Sequence, residues 1–229
     1  MDEIFSGLAH AIQLLVSADP ALMEIVILSL QVSGIALALS AIAGVPIGAA
    51  LGLSRLRARG LITALLYTGM GLPPVVVGLF VYLMLSRSGP FGSLAWLFTP
   101  NAMIVAQTII AFPLVAGLTM AAVQGVDPAL RVQVRSLGAT RAQEIWAVLR
   151  EARVGVIAAI VAAFGGVISE VGAVMLVGGN IEGKTRVLTT AIVLNTRTGD
   201  FALALALGII LLTLAFIANV AMLQLQGKE

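Results

Sequence analysis

The sequence contains no cysteine and a single histidine, His10. Disulfides and thiolate metal sites are therefore excluded, and a metal centre built on histidines has no material. Charge is scarce too: 13 basic and 11 acidic residues make up 10% of 229. A soluble domain carries about a quarter charged residues, so these few cannot cover the surface of a water-soluble particle of this size. The start, Met1-Asp2-Glu3, lacks the cationic stretch that opens a signal peptide, which predicts insertion without a cleaved leader.

Apolar residues fill the gap. They make up 60% of the chain, and the mean hydropathy is +1.09. No charge falls between Glu24 and Arg55 or between Arg59 and Arg87. Runs of this length are far beyond the ~10-residue alternating segments of a transmembrane barrel. The fold class read from this is an all-α membrane protein. A pI near 9.5 reflects cations spread among membrane loops, so no nucleic-acid partner is expected and the lipid bilayer is the main contact.

A bilayer core of ~30 Å takes about 20 apolar residues in helix. On that ruler the chain reads as a single transmembrane domain over 1–229, with five spans near 22–53, 61–85, 101–124, 154–177 and 201–225. The first, at about 1.5 Å per residue, reaches roughly 48 Å and must tilt or project, and Gly44, Pro46 and Gly48 within it permit a bend. Residues 5–17 are too few to cross. Phe5, Leu8, Ile12 and Leu15 share a face there, which predicts an interfacial helix.

Cations are retained on the cytoplasmic side. Nine lie in one set of loops (Arg55, Arg57, Arg59, Arg131, Arg135, Arg141, Arg150, Arg153 and Lys228) and four in the other (Arg87, Lys184, Arg186 and Arg197). The amino end is thus expected outside and the carboxyl end in the cytoplasm. The principal inner loop is 125–153. Asp127-Pro128 fits an N-cap followed by a first-turn proline, Gly138 suits the left-handed closure of a helix, and Thr140 with Gln143 makes a capping box. A helix-glycine-helix elbow follows. It either rests on lipid headgroups or docks another protein.

Within the spans, Glu170 is the one ionisable residue of the fourth, and an acid in hydrocarbon is a functional candidate by default. Gln107, Thr108 and Asn195 are neutral hydrogen-bonding groups that could face a solute or merely bond a neighbouring helix. Pro73-Pro74 and Pro113 each remove a helix hydrogen bond and favour kinks, which serve gating or simply shape the bundle. Trp96 and Phe98 read as an interfacial aromatic anchor. The stretch from Gly178 to Thr185 spells G-x-x-x-x-G-K-T letter for letter. A P-loop needs a strand before its glycines and a soluble α/β setting; here a membrane helix precedes it, so no nucleotide site is expected.

The elbow resembles the inner loop of ABC importer permeases, in which E-A-A, three residues and G are followed nine residues later by I-x-L-P. Gly138 falls on the glycine; Val132, Gln133 and Val134 replace E-A-A, and Val148, Arg150 and Glu151 replace the I, L and P. Ser169-Glu170-Val171-Gly172-Ala173 running to Gly179-Asn180-Ile181, Thr185 to Ile192, Gly71-Leu72-Pro73-Pro74 and Asp200 to Gly208 are similar to the tungstate-type importer permeases, relatives of the molybdate and sulfate permeases. That resemblance implies a type I importer fold with a coupling helix in the inner loop. It implies that two copies form a pathway for an oxyanion, tungstate first and molybdate or sulfate as alternatives, in the plasma (inner) membrane of a prokaryote. Two separate ATPase subunits would use ATP and Mg, and an external binding protein would deliver the anion. The chain itself would hold no cofactor and do no catalysis. The contact with the ATPase would fall on Arg131, Val132, Gln133, Val134, Arg135, Ser136, Leu137, Gly138, Ala139 and Thr140. Pathway or gate candidates are Gln107, Thr108, Pro113, Glu170 and Asn195. An ionised Glu170 facing a dianion repels it by more than about 1 kcal/mol at 4 Å, which favours pairing of the carboxylate with a neighbouring helix or subunit, or a proton on it. Two rivals of other classes are an ion-coupled secondary transporter using Glu170 and a membrane ATPase using the Lys184 loop.

Overall fold

A computed structural model describes residues 20–54 and 59–226, together with Gln13 and Ser17. The interfacial helix expected at 5–17, Arg55, Arg57 and Lys228 lie outside the described residues. Every regular element among the described residues is helical. They are α1 (Pro20–Leu53), α2 (Arg59–Met70), α3 (Pro74–Leu85), α4 (Pro100–Gln124), α5 (Pro128–Ser136), α6 (Arg141–Glu151), α7 (Arg153–Ile168), α8 (Gly172–Gly178), α9 (Leu188–Thr198) and α10 (Phe201–Gln226).

Helices α1, α4 and α10 are each long and apolar enough to cross a membrane. Helix α1 stays helical through Pro46. Its most extensive partner is α4, and the reason is a row of glycines. Gly44, Gly48 and Gly52 recur every four residues on one face, against Val115, Ala116, Thr119, Met120 and Val123 of α4. A Cβ at Gly48 would collide with the Ala116 carbonyl oxygen. Small residues at this spacing let two backbones approach closely where lipid supplies no hydrophobic drive.

The second expected span, 61–85, is divided. Helix α2 ends at Met70, and α3 departs at 97° after a break of three residues. Two successive prolines explain why a kink becomes a break. Pro74 forces Pro73 into the extended region, where it has φ −60° and ψ 122°, and Pro74 then opens α3 at its first turn. The fourth span, 154–177, is divided too. Helix α7 stops at Ile168, and the short α8 begins at Gly172. An additional helix, α9, occupies 188–198 and packs along α10 and against α1.

The two breaks meet. Helix α3 packs on α8, where a Cβ at Gly78 would sit 2.6 Å from Ala173 Cα and one at Gly172 would sit 2.6 Å from Val75 Cγ2. Val77, Val81, Leu85, Met103, Ala106, Val174 and Val177 form the core around this junction. Trp96 packs on the same core, and the Phe98 N–H donates to Val177 O at 2.9 Å. These aromatics therefore fasten the 86–99 loop onto the end of α8.

The glycine row yields a prediction. Gly48→Ala lowers Tm in detergent by roughly 5 °C or more through overpacking. Gly34→Ala, on the same helix with nothing within 4 Å of the added Cβ, leaves stability unchanged or raises it by up to about 1 kcal/mol. Equal melting of the two variants would contradict the close α1–α4 crossing.

Candidate functional site

The elbow is built from local signals that agree. Asp127 caps α5, its Oδ1 accepting from the Ala129 N–H at 2.8 Å. Gly138 takes φ +81°, a conformation that disfavours any side chain. Thr140 and Gln143 then satisfy each other's backbone N–H groups at the start of α6. Sequence reading missed the residue that locks the two helices together. Glu144 is buried, at 4% exposure, between two arginines. Its Oε1 accepts from Arg131 Nε at 2.7 Å and its Oε2 from Arg135 Nε at 2.7 Å. Arg131 and Arg135 are one turn apart on α5, and a single carboxylate of α6 ties both. The spacing of the arginines was visible, but their partner could not be chosen until the turn at Gly138 folded α6 back.

The hydrogen bond from Arg135, then that from Arg131, holds the Glu144 carboxyl below its ordinary range against the opposing effect of burial. The same hydrogen bond raises the Arg135 guanidinium above its usual value. The inner face of the elbow anchors on the ends of α1 and α4, where Val148 and Ala152 pack against Ala49 and Val123. Its outer face presents Val132, Leu137 and Trp146, each more than 60% exposed, with the Arg150 guanidinium carbon 5.6 Å from the Trp146 ring centre. Of the other elbow candidates, Gln133, Arg135, Ser136 and Thr140 are exposed, and Val134 and Ala139 half-buried. Only Ala152 separates α6 from α7, which bend by 68°. The elbow is therefore continuous with α7.

At the far end of α7 lies the break around Glu170. A helix interrupted inside a bilayer must find partners for its freed backbone groups, and here side chains supply them. The Gln107 amide of α4 donates to Val167 O at 2.9 Å. Glu170 Oε1 accepts from the Ala173 N–H at 2.9 Å and so caps α8. Thr189, at the start of α9, donates to Glu170 O at 2.9 Å. Ser29 of α1 accepts from the Leu188 N–H at 2.9 Å. Gln107 and Glu170 are thus brought together, with Ser29 and Thr189 added.

The other candidates are elsewhere. Thr108 bonds Ile104 O within its own helix, and Asn195 bonds Ala191 O within α9. Pro113 packs beside α2, its ring carbons 2.9 Å from where a Cβ of Gly69 would be. The stretch from Gly178 to Thr185 closes on itself. The Thr185 hydroxyl donates to Gly178 O at 2.6 Å and accepts from the Ile181 N–H at 2.9 Å. Lys184, Thr185 and Arg186 turn their N–H groups onto Ile181 O. A phosphate cradle would need those donors pointing outward.

A helical membrane bundle with a rigid elbow at one end, joined through one helix to a broken span at mid-bundle, has the make-up of a transport subunit. Residues 44–228 match the family described as the inner membrane component of binding-protein-dependent transport systems. The chain is 42% identical, over the whole of both sequences, to a tungstate uptake system permease protein, TupB, of Peptoclostridium acidaminophilum. It is 46% identical to a probable anion ABC transporter permease protein of Haloferax volcanii, across 86% of this chain and 88% of that one. The fold is similar to that of a chain of the MetNI methionine ABC transporter in an inward-facing form, with a TM-score of 0.69 and 17% identity over 90% of this chain and 96% of that one. The protein belongs to this inner-membrane component family: it is a permease subunit of an ABC transporter, with a type I importer fold.

Because the Glu144 pKa is depressed, its stabilisation of the elbow is fully present above the ordinary glutamate value of about 4.3 and lost as pH falls through the lower native value. The protection of amides across 128–151, corrected for the intrinsic pH dependence of exchange, should be high at pH 6 and collapse only once pH has fallen below the ordinary glutamate range. Glu144→Gln should make exchange fast at every pH. An elbow equally protected in that variant at pH 6 would show that the clamp does not order it.

Proposed function

We propose that this permease carries an oxyanion inward through the membrane, with tungstate as the substrate. The observation that carries the substrate is the 42% identity over both full lengths to a protein named for tungstate uptake; the likeness to an anion permease points the same way. Molybdate and sulfate, also tetrahedral dianions, are the alternatives. Selection among them falls largely to an external binding protein.

In this reading two copies of the chain enclose the pathway. The amino end is outside and the carboxyl end in the cytoplasm, as the uneven distribution of Lys and Arg favours. The chain binds neither ATP nor Mg, which belong to two separate ATPase subunits. The energy enters at the elbow, where Val132, Leu137 and Trp146 stand exposed on a scaffold stiffened by Glu144. Closure of the ATPases moves α5 and α6 as one piece. The motion passes through Ala152 into α7, whose far end carries the Glu170 break, and the coupled pair α8 and α3 responds. The void at the break is about 10 Å³, the size of a single water. A tetrahedral dianion cannot occupy it, so Glu170 shapes the route and does not hold the substrate.

Tagging the chain and identifying what co-purifies should recover an ABC ATPase. Reconstituted with it and a binding protein, the complex should take up tungstate only with ATP. In Gly138→Pro the ring cannot adopt φ +81° and the bond from the Gly138 N–H to Arg135 O disappears. Uptake should fall by about ten-fold or more while the bundle stays folded. Full uptake in that variant, or uptake without ATP, would refute the coupling route.

A further inference from the structure

The pocket at the broken span has a one-sided chemistry. Ser29, Val32, Ser33, Gln107, Ile168, Glu170, Val187 and Thr189 line it, and Gln107 and Glu170 are 3% and 9% exposed. Three of its donors are already committed. The Gln107 amide nitrogen is turned to Val167 O, the Ser29 hydroxyl to Ile25 O at 2.6 Å, and the Thr189 hydroxyl to Glu170 O. The Gln107 orientation is fixed by chemistry, because a carbonyl can only accept and the amide nitrogen must face it. Gln107 Oε1 is left buried with no hydrogen-bond partner. What the pocket still offers is one carboxylate, the free lone pairs of Gln107 Oε1 and the Ser33 hydroxyl, whose oxygen can turn toward a bound ion.

A negative charge inside the bundle is costly unless something positive meets it; the nearest loop cation in sequence, Arg186 beside the lining residue Val187, pairs with Glu182 at 3.1 Å, and the helices around the break provide no cationic side chain beside it. Helices α1, α4 and α8 contain no Lys, Arg or His; α7 has only Arg153 and α9 only Arg197, each at the end remote from the break. Among the described residues no ion pair involves Glu170. Magnesium and calcium demand about six or more oxygens, usually with several carboxylates, and no group of three acidic or other metal-binding side chains is gathered among the described residues.

We propose that this pocket is a binding site for one small monovalent cation of the sodium class, held between the Glu170 carboxylate and Gln107 Oε1. Ser33 completes the lining from α1. The ion cancels the charge that would otherwise face a dianion crossing nearby, and it fastens α4 to the junction between α7 and α8. A water would fill the space and satisfy Gln107 but would leave the carboxylate uncompensated.

The test uses the full-length protein, with its partner subunits, in lipid nanodiscs. Sodium chloride is exchanged for choline chloride at constant ionic strength, so that general screening is unchanged. Sodium should raise Tm saturably, by roughly 3 °C when the ion is well above its Kd, and radioactive sodium should bind stoichiometrically. Glu170→Gln, which keeps an oxygen to cap Ala173, and Gln107→Leu should each abolish both effects. Identical melting in sodium and choline would overturn the proposal. So would sodium binding that survives in Glu170→Gln, or a response to pH with none to sodium. The binding readout does not require the substrate to be tungstate, so failure of that assignment would leave this result standing.

Discussion

A polypeptide inside lipid has no water to complete its hydrogen bonds, and every departure from helix must be matched by groups from elsewhere in the fold. Among the described residues this chain departs twice within an expected span, at Gly71-Leu72-Pro73 and at Ser169-Glu170-Val171. The second departure is the more demanding, because the carbonyl groups at the end of α7 and the N–H groups at the start of α8 are released together. Gln107, Glu170 and Thr189, from three separate parts of the sequence, take them up. The position of α4 relative to α9 follows from these bonds as well as from apolar packing. The α3–α8 contact through Gly78 and Ala173 then places the two breaks side by side.

The elbow obeys different physics, since it lies outside the spans and its charges are available for pairing. A carboxylate shared by two arginines joins α5 to α6, and a core of Val148, Ala152, Ala49 and Val123 joins α6 to the bundle. The elbow is thus tied both within itself and to the bundle. The break, by contrast, is held by a few side-chain hydrogen bonds from distant parts of the chain. Helix α7 alone runs from the one to the other.

Much of this was legible because it is written locally. Apolar length located the long helices α1, α4 and α10. Asp127-Pro128, Gly138 and Thr140 with Gln143 specify caps that act within a few residues, and the structure places each cap at those positions. The resemblance to ABC permeases rested partly on the same elbow and more on the stretches from Ser169 to Ile181, Thr185 to Ile192, Gly71 to Pro74 and Asp200 to Gly208. Other features were not legible because they depend on residues distant in sequence. Glu144 looks like any helix-surface acid until α6 folds back on α5. The residues 154–177 form one apolar run, and nothing in their composition announces a break that Gln107 and Thr189 make tolerable. Helix α9 was hidden because 188–198 is half polar and too short to span. Conversely, the P-loop lettering at Gly178 to Thr185 was fully legible and misleading, since its donors bond within the loop.

The central claim is that the elbow moves as one body and that the span yields at Glu170. Because the chain has no native cysteine, spin-label pairs can be introduced cleanly on exposed positions of the assembled transporter. One pair, Gln133 and Glu151, spans the elbow; the other, Glu151 and Ile181, reaches from the elbow across the break. Pulsed electron-spin distance measurements with and without ATP should find the first distance constant and the second altered. An elbow distance that changes while the distance across the break stays fixed would contradict the account.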